Sequence, residues 1–390
     1  DGEVGGVGED SSNSTTSRRS RRGRRSSLRP TAPSDRCNRN IKDLVRYFKA
    51  RVGRDAFVTQ EFVPTLSGKE RFSLEHRKML PLDSGAIQKD YKFGRCAVVG
   101  NSGHLRLTRF GANINTFDVV MRTNQAPTKG YAKFVGTKTT FRLINRSITK
   151  TYRRAMSHFK RTNPPARRLL AQPLEDDGEL RHAARTLQTK GASYPLEPNV
   201  TMILIFEAKS RVTDTVQFTR TIRPMRPDVK VLVSSGKLRR ASEGLLIEWT
   251  KRQRACIGRD TGRNNQNRGT TGLLAVTTML QLCKRVTVYG FGQPRNGTSA
   301  AGYHYYSGLN SRTWRSKSSS VHNFPGEASV IRNMVNQGVI EMCNEDSPKI
   351  CGLGRSKINE LAKKFKTRVK VVEGKPWLPD HVQLEDAEED

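Results

Sequence analysis

Two glycine-bracketed polar turns, GNSG at Gly100–Gly103 and GTTG at Gly269–Gly272, and two histidines, His304 and His322, are the residues of this chain best suited to act together on a substrate. GNSG follows the apolar run CAVV and leads into basic residues. Its glycines let the backbone approach a ligand and turn N–H groups toward an anion, commonly a phosphate, while Asn101 and Ser102 add side-chain donors. Alone, such a tetrapeptide is more often an ordinary strand–helix turn. GTTG opens an apolar stretch. Thr270 or Thr271 can cap the helix that follows, whose positive end would face an anion, though simple capping explains the pair as well. His304 in GYHYYSG and His322 in VHNFPGE stand among polar and glycine residues, and histidine is the usual general base for a hydroxyl. Glu327, five residues past His322, either orients that segment or favours a helix N-terminus. Taken singly, each histidine is more often structural than catalytic.

Other chemistries lack their residues. There is no GxxxxGK[ST] or GxGxxG, and no GxSxG at a strand–helix turn. The carboxylates of LEDDGEL (Leu174–Leu180) read as a solvated turn, not as a metal-holding DxD after a buried strand. The six cysteines show no CxxC and no Cys/His spacing suited to zinc.

The elements that must carry these residues alternate. IKDLVRYFKARV places Ile41, Leu44, Val45 and Phe48 on one helical face. CAVVG, FDVVMRTN (Phe117–Asn124) and TTFRLIN (Thr139–Asn145) read as strands. Residues 150–196 read as helical and basic, with loops at Pro164–Pro165 and Pro195. TMILIF (Thr201–Phe206) and VKVLVS (Val229–Ser234) are strands joined by a crossover. TTGLLAVTTMLQLC is apolar nearly all round, as in a buried helix. VTVYGFG is a strand, EASVIRNMVNQG an amphipathic helix stopped at Gly338, and VIEMC a last strand. The alternation predicts an α/β fold with a mostly parallel sheet, ligands lying beyond the carboxyl ends of the strands.

The chain has 390 residues, 35% of them hydrophobic, and a formal charge of +34. That charge first suggests nucleic acid. Part of it is local, in SRRSRRGRRSSLR (Ser17–Arg29), a stretch too poor in apolar residues to bury a core. The rest is spread as a general preference for Arg, a poor guide to partners. No apolar run of about 18 residues occurs, so no transmembrane helix is expected within the chain. The chain starts at Asp1, and an anchor segment lost with the true N-terminus is part of the expectation. Sequons at Asn13, Asn145, Asn199 and Asn296 lend weak support to a lumenal location.

Taken together, CAVVGNSG, then D-VVMR-NQAP and VGTKTTFR, resemble the large sialyl motif of glycosyltransferase family 29. GTTGLLAVTTMLQLCKRVTVYGFG resembles the small motif, HYYS (His304–Ser307) the third, and HNFPGE (His322–Glu327) the very small motif, His-x4-Glu. Four motifs in the family's order are far more specific than any one. The resemblance implies a variant GT-A fold, with a Rossmann-like twisted sheet between helices in one catalytic domain over residues 80–375. Residues 1–40 would be a disordered Arg/Ser-rich stem, 41–79 a helical extension and 376–390 an acidic tail.

The resemblance further implies an inverting, metal-free transfer from a CMP-linked acidic sugar to a hydroxyl of a glycan on a glycoprotein, glycolipid or polysaccharide. Asn101 and Asn124 would contact the donor nucleotide and phosphate, with help from Ser102. Thr270, Thr271 and Gly272 would lie against the donor. His304 and Tyr305 would stabilise the leaving phosphate, and His322 would be the base, with Glu327 in support. Cys96 and Cys283 match the family's cysteines that join the large and small motifs, and the resemblance implies no metal and no cofactor. Apart from the resemblance, Cys343 and Cys351 are close enough in sequence to pair, and Cys37 and Cys256 remain by elimination, two pairings left open by the sequence. The implied location is the Golgi membrane, as a single-pass type II protein. The sequence departs from the animal pattern at Ser307, at Gly269–Thr270 and around Arg142. These departures are compatible with a plant or algal relative and with Kdo or a similar acid in place of sialic acid. Rival readings are a basic nucleic-acid-binding protein and an inactive CMP-binding family member.

Overall fold

The computed structural model describes residues 41–63, 73–163, 185–189, 192–205, 211–257, 268–291, 302–306, 322–372, 375–379, 382 and 384. Ser307, Cys37, the Arg-rich run, Leu174–Leu180 and the sequons Asn13 and Asn296 lie outside them.

Seven strands form one parallel sheet. They are β1 (Arg95–Val99), β2 (Val119–Thr123), β3 (Phe141–Ile144), β6 (Thr201–Ile205), β7 (Lys230–Ser234), β8 (Arg285–Tyr289) and β9 (Glu341–Cys343), in the order β7-β6-β3-β2-β1-β8-β9. The central strands are apolar along their whole length because both faces are covered, as parallel sheets require. On β1, Cys96 and Val98 face one core cluster while Ala97 and Val99 face another. Strand order reverses between β1 and β8, whose register pairs Cys96 with Val286 and Val99 with Tyr289. The reversal opens a crevice at the carboxyl ends of these two strands. GNSG leaves β1 there and Gly290–Phe291 leave β8.

The expected buried helix, Thr271–Leu282, lies across β1, β2, β3 and β8. Its residues Leu273 through Leu280 are all buried, which explains its lack of a polar face. The helix Ile41–Val52 buries Ile41, Leu44, Val45, Phe48 and Val52 in the same cluster and packs on the long helix Gly236–Ile257. Twisted parallel sheet and flanking helices together match the variant GT-A, Rossmann-like arrangement expected.

Two expectations need correction. Residues 150–196 are not helical throughout. The helix Arg146–Thr162 is followed by an antiparallel hairpin, β4 (Thr186–Thr189) with β5 (Ala192–Pro195). Leu187 and Tyr194 are directly opposite across it and are both buried, a cross-strand apolar pair of the kind that stabilises a hairpin. Nor is β9 the last strand. A short antiparallel pair, β10 (Lys370–Val372) and β11 (Lys375–Trp377), follows it.

Disulfides join Cys96 to Cys283 and Cys343 to Cys351. Cys256 is also disulfide-bonded. The first bridge ties β1 to the C-terminal end of the Thr271–Leu282 helix.

Candidate active site

At the mouth of the β1/β8 crevice lies a cavity of about 510 Å3. It is lined by Gly100, Asn101, Ser102, Asn124, Thr270, Thr271, Gly272, His304, His322 and Glu327. Ten residues chosen from the sequence, spread over more than two hundred positions, thus meet in one place.

GNSG is held by close backbone approach. Gly100 donates its N–H to the Tyr289 carbonyl at 2.8 Å, and a Cβ on Gly100 would stand 2.6 Å from the Gly290 carbonyl oxygen. A Cβ on Gly103 would stand 1.9 Å from the Gly302 carbonyl oxygen. The segment Gly302–Tyr306 therefore runs directly against the turn, with a bridge from Ser102 to His304 and Tyr305 N–H donating to the Asn101 carbonyl at 3.1 Å. The Asn101 amide donates to the Tyr306 hydroxyl (3.4 Å), and its Oδ1 accepts from Thr123 (3.0 Å). Ser102 Oγ accepts from His104 N–H, so Ser102 caps a short 3-10 turn, Gly103–Leu107, where a helix start was expected.

Asn124 sits at φ 52°, in the left-handed region that asparagine tolerates better than most residues. Two buried arginines, Arg122 and Arg142, are paired in register on β2 and β3 below it. Arg142 donates to the carbonyls of Asn124 (2.8 Å) and Ala126 (3.0 Å) and pairs with Glu197. Arg122 donates to Thr139 and to the carbonyls of Val135, Gly136 and Lys138. Desolvation lowers the Arg122 pKa to about 10, which still leaves it charged at neutral pH. The Asn124 side chain accepts from Asn145 N–H at 3.2 Å, which fixes its amide at the cavity wall.

Across the cavity, Thr270 caps the helix that starts at Thr271, accepting from Leu273 N–H at 3.1 Å. Its own N–H and hydroxyl donate to the two Glu327 oxygens at 2.8 and 2.6 Å. Burial outweighs these bonds and pushes the Glu327 carboxyl up to about 7. The positive end of the helix faces the space shared with Asn101 and Asn124. Among the described residues no Lys or Arg lines this cavity. A ligand anion there meets neutral donors and a helix dipole.

His322 is partly exposed and forms a parallel bridge with Arg268, just before GTTG. Its Nδ1 donates to the Arg268 carbonyl at 2.9 Å. In neutral imidazole this bond leaves Nε2 as the basic nitrogen. His304 stacks on the Tyr306 ring at 5.0 Å between centroids.

Tyr305 requires a correction. Its ring is fully buried, and its hydroxyl donates to the Pro127 carbonyl at 2.6 Å, so it braces the wall and does not line the cavity. Tyr303 and Tyr306 line it instead, with Thr123, Gln125, Ser147, Phe291 and Phe324. The segment bends at Tyr303, Tyr305 and Tyr306, and the sequence HYYS alone does not say which tyrosine faces in. The site comes from two stretches of chain, Gly100–Ile148 and Thr270–Ile331, and the Cys96–Cys283 bridge joins the elements on which both are mounted.

The sequence matches the family model of glycosyltransferase family 29 (sialyltransferase) over residues 57–339. Over 59 residues, 15% of this chain and 13% of the relative, it is 56% identical to sialyltransferase-like protein 2 of Arabidopsis thaliana. Over 267 residues, 68% of this chain and 69% of the relative, it is 27% identical to CMP-N-acetylneuraminate-beta-galactosamide-alpha-2,3-sialyltransferase 4 of Homo sapiens. The crystal structure of a mammalian sialyltransferase aligns with 77% of this chain and 94% of its own, at 19% identity and a TM-score of 0.47. With the family match running from the strand-rich first half through both glycine turns to the helix that carries Glu327, the chain belongs to glycosyltransferase family 29, the sialyltransferases.

Proposed function

We propose that the protein transfers sialic acid, or a related acidic sugar, from a CMP-linked donor to a hydroxyl of a glycan acceptor, with inversion and without a metal ion. The observation that carries this reading is the His322 Nδ1 bond to the Arg268 carbonyl, which presents Nε2 at the edge of the donor-sized cavity. The acceptor oxygen attacks the anomeric carbon from one side and gives its proton to Nε2. The bond from that carbon to the CMP phosphate breaks on the other side, so the configuration inverts and the phosphate takes the electron pair. Charge developing on the phosphate meets the helix N-terminus at Thr271, the Thr271 hydroxyl and His304, while Thr270 caps that helix and holds Glu327. Asn101, Asn124 and Ser102 hold the nucleotide. The one carboxylate among the described lining residues, Glu327, is committed to Thr270, which supports a mechanism without a carboxylate-held cation.

The acceptor in this reading is a glycan of a glycoprotein, glycolipid or polysaccharide, met in the Golgi lumen by a chain anchored through a segment preceding Asp1. No helix among the described residues is long and apolar enough to cross a membrane. Nucleic acid is not a partner in this reading, since the basic side chains avoid the cavity.

The test is His322→Ala. Transfer from CMP-sialic acid, or from CMP-Kdo if that is the donor used, should fall by about 10²–10⁴-fold, the usual worth of general-base help. CMP affinity in the presence of EDTA should be unchanged. Transfer that survives the substitution removes His322 from the role of base, and a wild-type protein that does not bind CMP removes the donor assignment.

A further inference from the structure

A second cavity, of about 240 Å3, continues the first past His322. The two share Asn145, Ser147, Thr270, Thr271 and His322, but their walls differ in charge. The second is walled by Arg146, Arg239 and Arg268, with Glu243 as its one acidic lining residue among those described. Among the described residues lining the two cavities, cationic side chains occur only in the second.

If His322 takes the acceptor proton, the acceptor must lie within hydrogen-bond reach of Nε2 and extend away from the donor. The second cavity is where that direction leads. We propose that the acceptor is an acidic glycan and that this guanidinium-walled cavity binds the carboxylate of its sugar next to the reacting hydroxyl. The proposal rests on the reading of His322 as base.

The charges are arranged for a single negative group. Arg146 lies 3.2 Å from Asp214, which Arg153 also approaches at 3.8 Å, so two guanidiniums share one carboxylate. Arg239 pairs with Glu243 at 3.0 Å, four residues on along the same helix. Arg268 is exposed and makes no ion pair among the described residues. A guanidinium offers paired N–H donors in the plane that a carboxylate accepts. The backbone of Arg268 meanwhile holds His322, so one residue carries both the base's anchor and a cation of the second cavity's wall.

The experiment is titration calorimetry of the whole protein, with and without CMP, using trimers of galacturonate and of glucuronate and the methyl ester of each. Esterification removes the charge and leaves the sugar. At least one free acid should bind about tenfold or more tightly than its ester. Arg268→Gln should abolish that preference and leave CMP binding intact, and Arg239→Gln should reduce it. Lys363→Gln, which removes an exposed cation on the remote helix Arg355–Lys364, should leave the preference unchanged. Equal binding of acid and ester overturns the proposal. So does an acid preference that survives Arg268→Gln or falls equally in Lys363→Gln, since general attraction by a chain of charge +34 would then explain it. The CMP titration reports separately on the donor reading, because the acid–ester comparison is also made without CMP.

Discussion

Replacing Glu327 with glutamine should remove a pH dependence from the stability of this protein. The residue is 8% exposed, and both its oxygens accept from Thr270. Burial raises its pKa from 4.5 to about 7, while the two hydrogen bonds pull weakly the other way. In the unfolded chain the carboxyl titrates near its ordinary value. Between those values the folded protein holds a proton that the unfolded chain has lost. The contribution to stability is therefore fully present below about pH 4.5 and is lost as pH rises through about 7. At about 1.4 kcal/mol per pH unit, the gap amounts to roughly 3 kcal/mol. Glutamine keeps the shape and stays neutral at every pH. The assay is urea unfolding of both proteins between about pH 4.5 and about pH 8. The stability of Glu327→Gln relative to wild type should rise across that window by roughly 3 kcal/mol. Every other titrating group, both site histidines included, is common to the two proteins and cancels. A flat difference would mean that Glu327 is ionised throughout, and the argument from burial would fail.

Glu197→Ala leaves Arg142 buried without its counter-ion. It should cost about 3–5 kcal/mol in chemical denaturation, and CMP should bind more weakly because Arg142 also holds the Asn124 carbonyl. Gly103→Ala sets a methyl group against the Gly302 carbonyl. A loss of about 1–3 kcal/mol is expected from such overpacking, with weaker CMP binding as His304 is pushed off Ser102. A double Cys96→Ser/Cys283→Ser variant should unfold about 2–5 kcal/mol more easily. Reduction should lower the melting temperature of wild type more than that of the double variant.

The strands around the crevice were legible because each is a short apolar run, buried on both faces and closed by Gly, Asn or a charged residue. The helix at GTTG was legible for the same reason, since only full burial explains eight consecutive residues with no polar face. The hairpin at residues 186–195 was misread because each of its strands is only four residues long, too short for a period of two to stand out beside a basic helical stretch. Tyr305 was misassigned because a neighbouring pair of tyrosines says nothing about which one points inward. The link from Glu197 to Arg142 and Asn124 was invisible. It joins residues 55 positions apart through a buried guanidinium, and no local pattern in the sequence marks it. Arg239 lies on a helix that looks like ordinary basic surface until β3 and the GTTG turn are placed beside it.

The division of the site between two stretches of chain bears on how such a protein diversifies. The walls of the first cavity belong to Gly100–Ile148 and Thr270–Ile331, whose supporting elements the sheet centre and the Cys96–Cys283 bridge hold together. The described residues between Arg153 and Ile257 build outer strands and helices, and reach the second cavity through Ile205, Arg239, Ser242 and Glu243. Drift at Arg239, Ser242 and Glu243 changes the wall that the proposed acceptor would meet and leaves Asn101, Asn124 and Thr270 in place, whereas Glu197, in the same stretch of chain, is tied to Asn124 through Arg142. On the proposed reading, a duplicated gene can acquire a new glycan target by ordinary surface mutation while the apparatus for the nucleotide sugar is inherited unchanged.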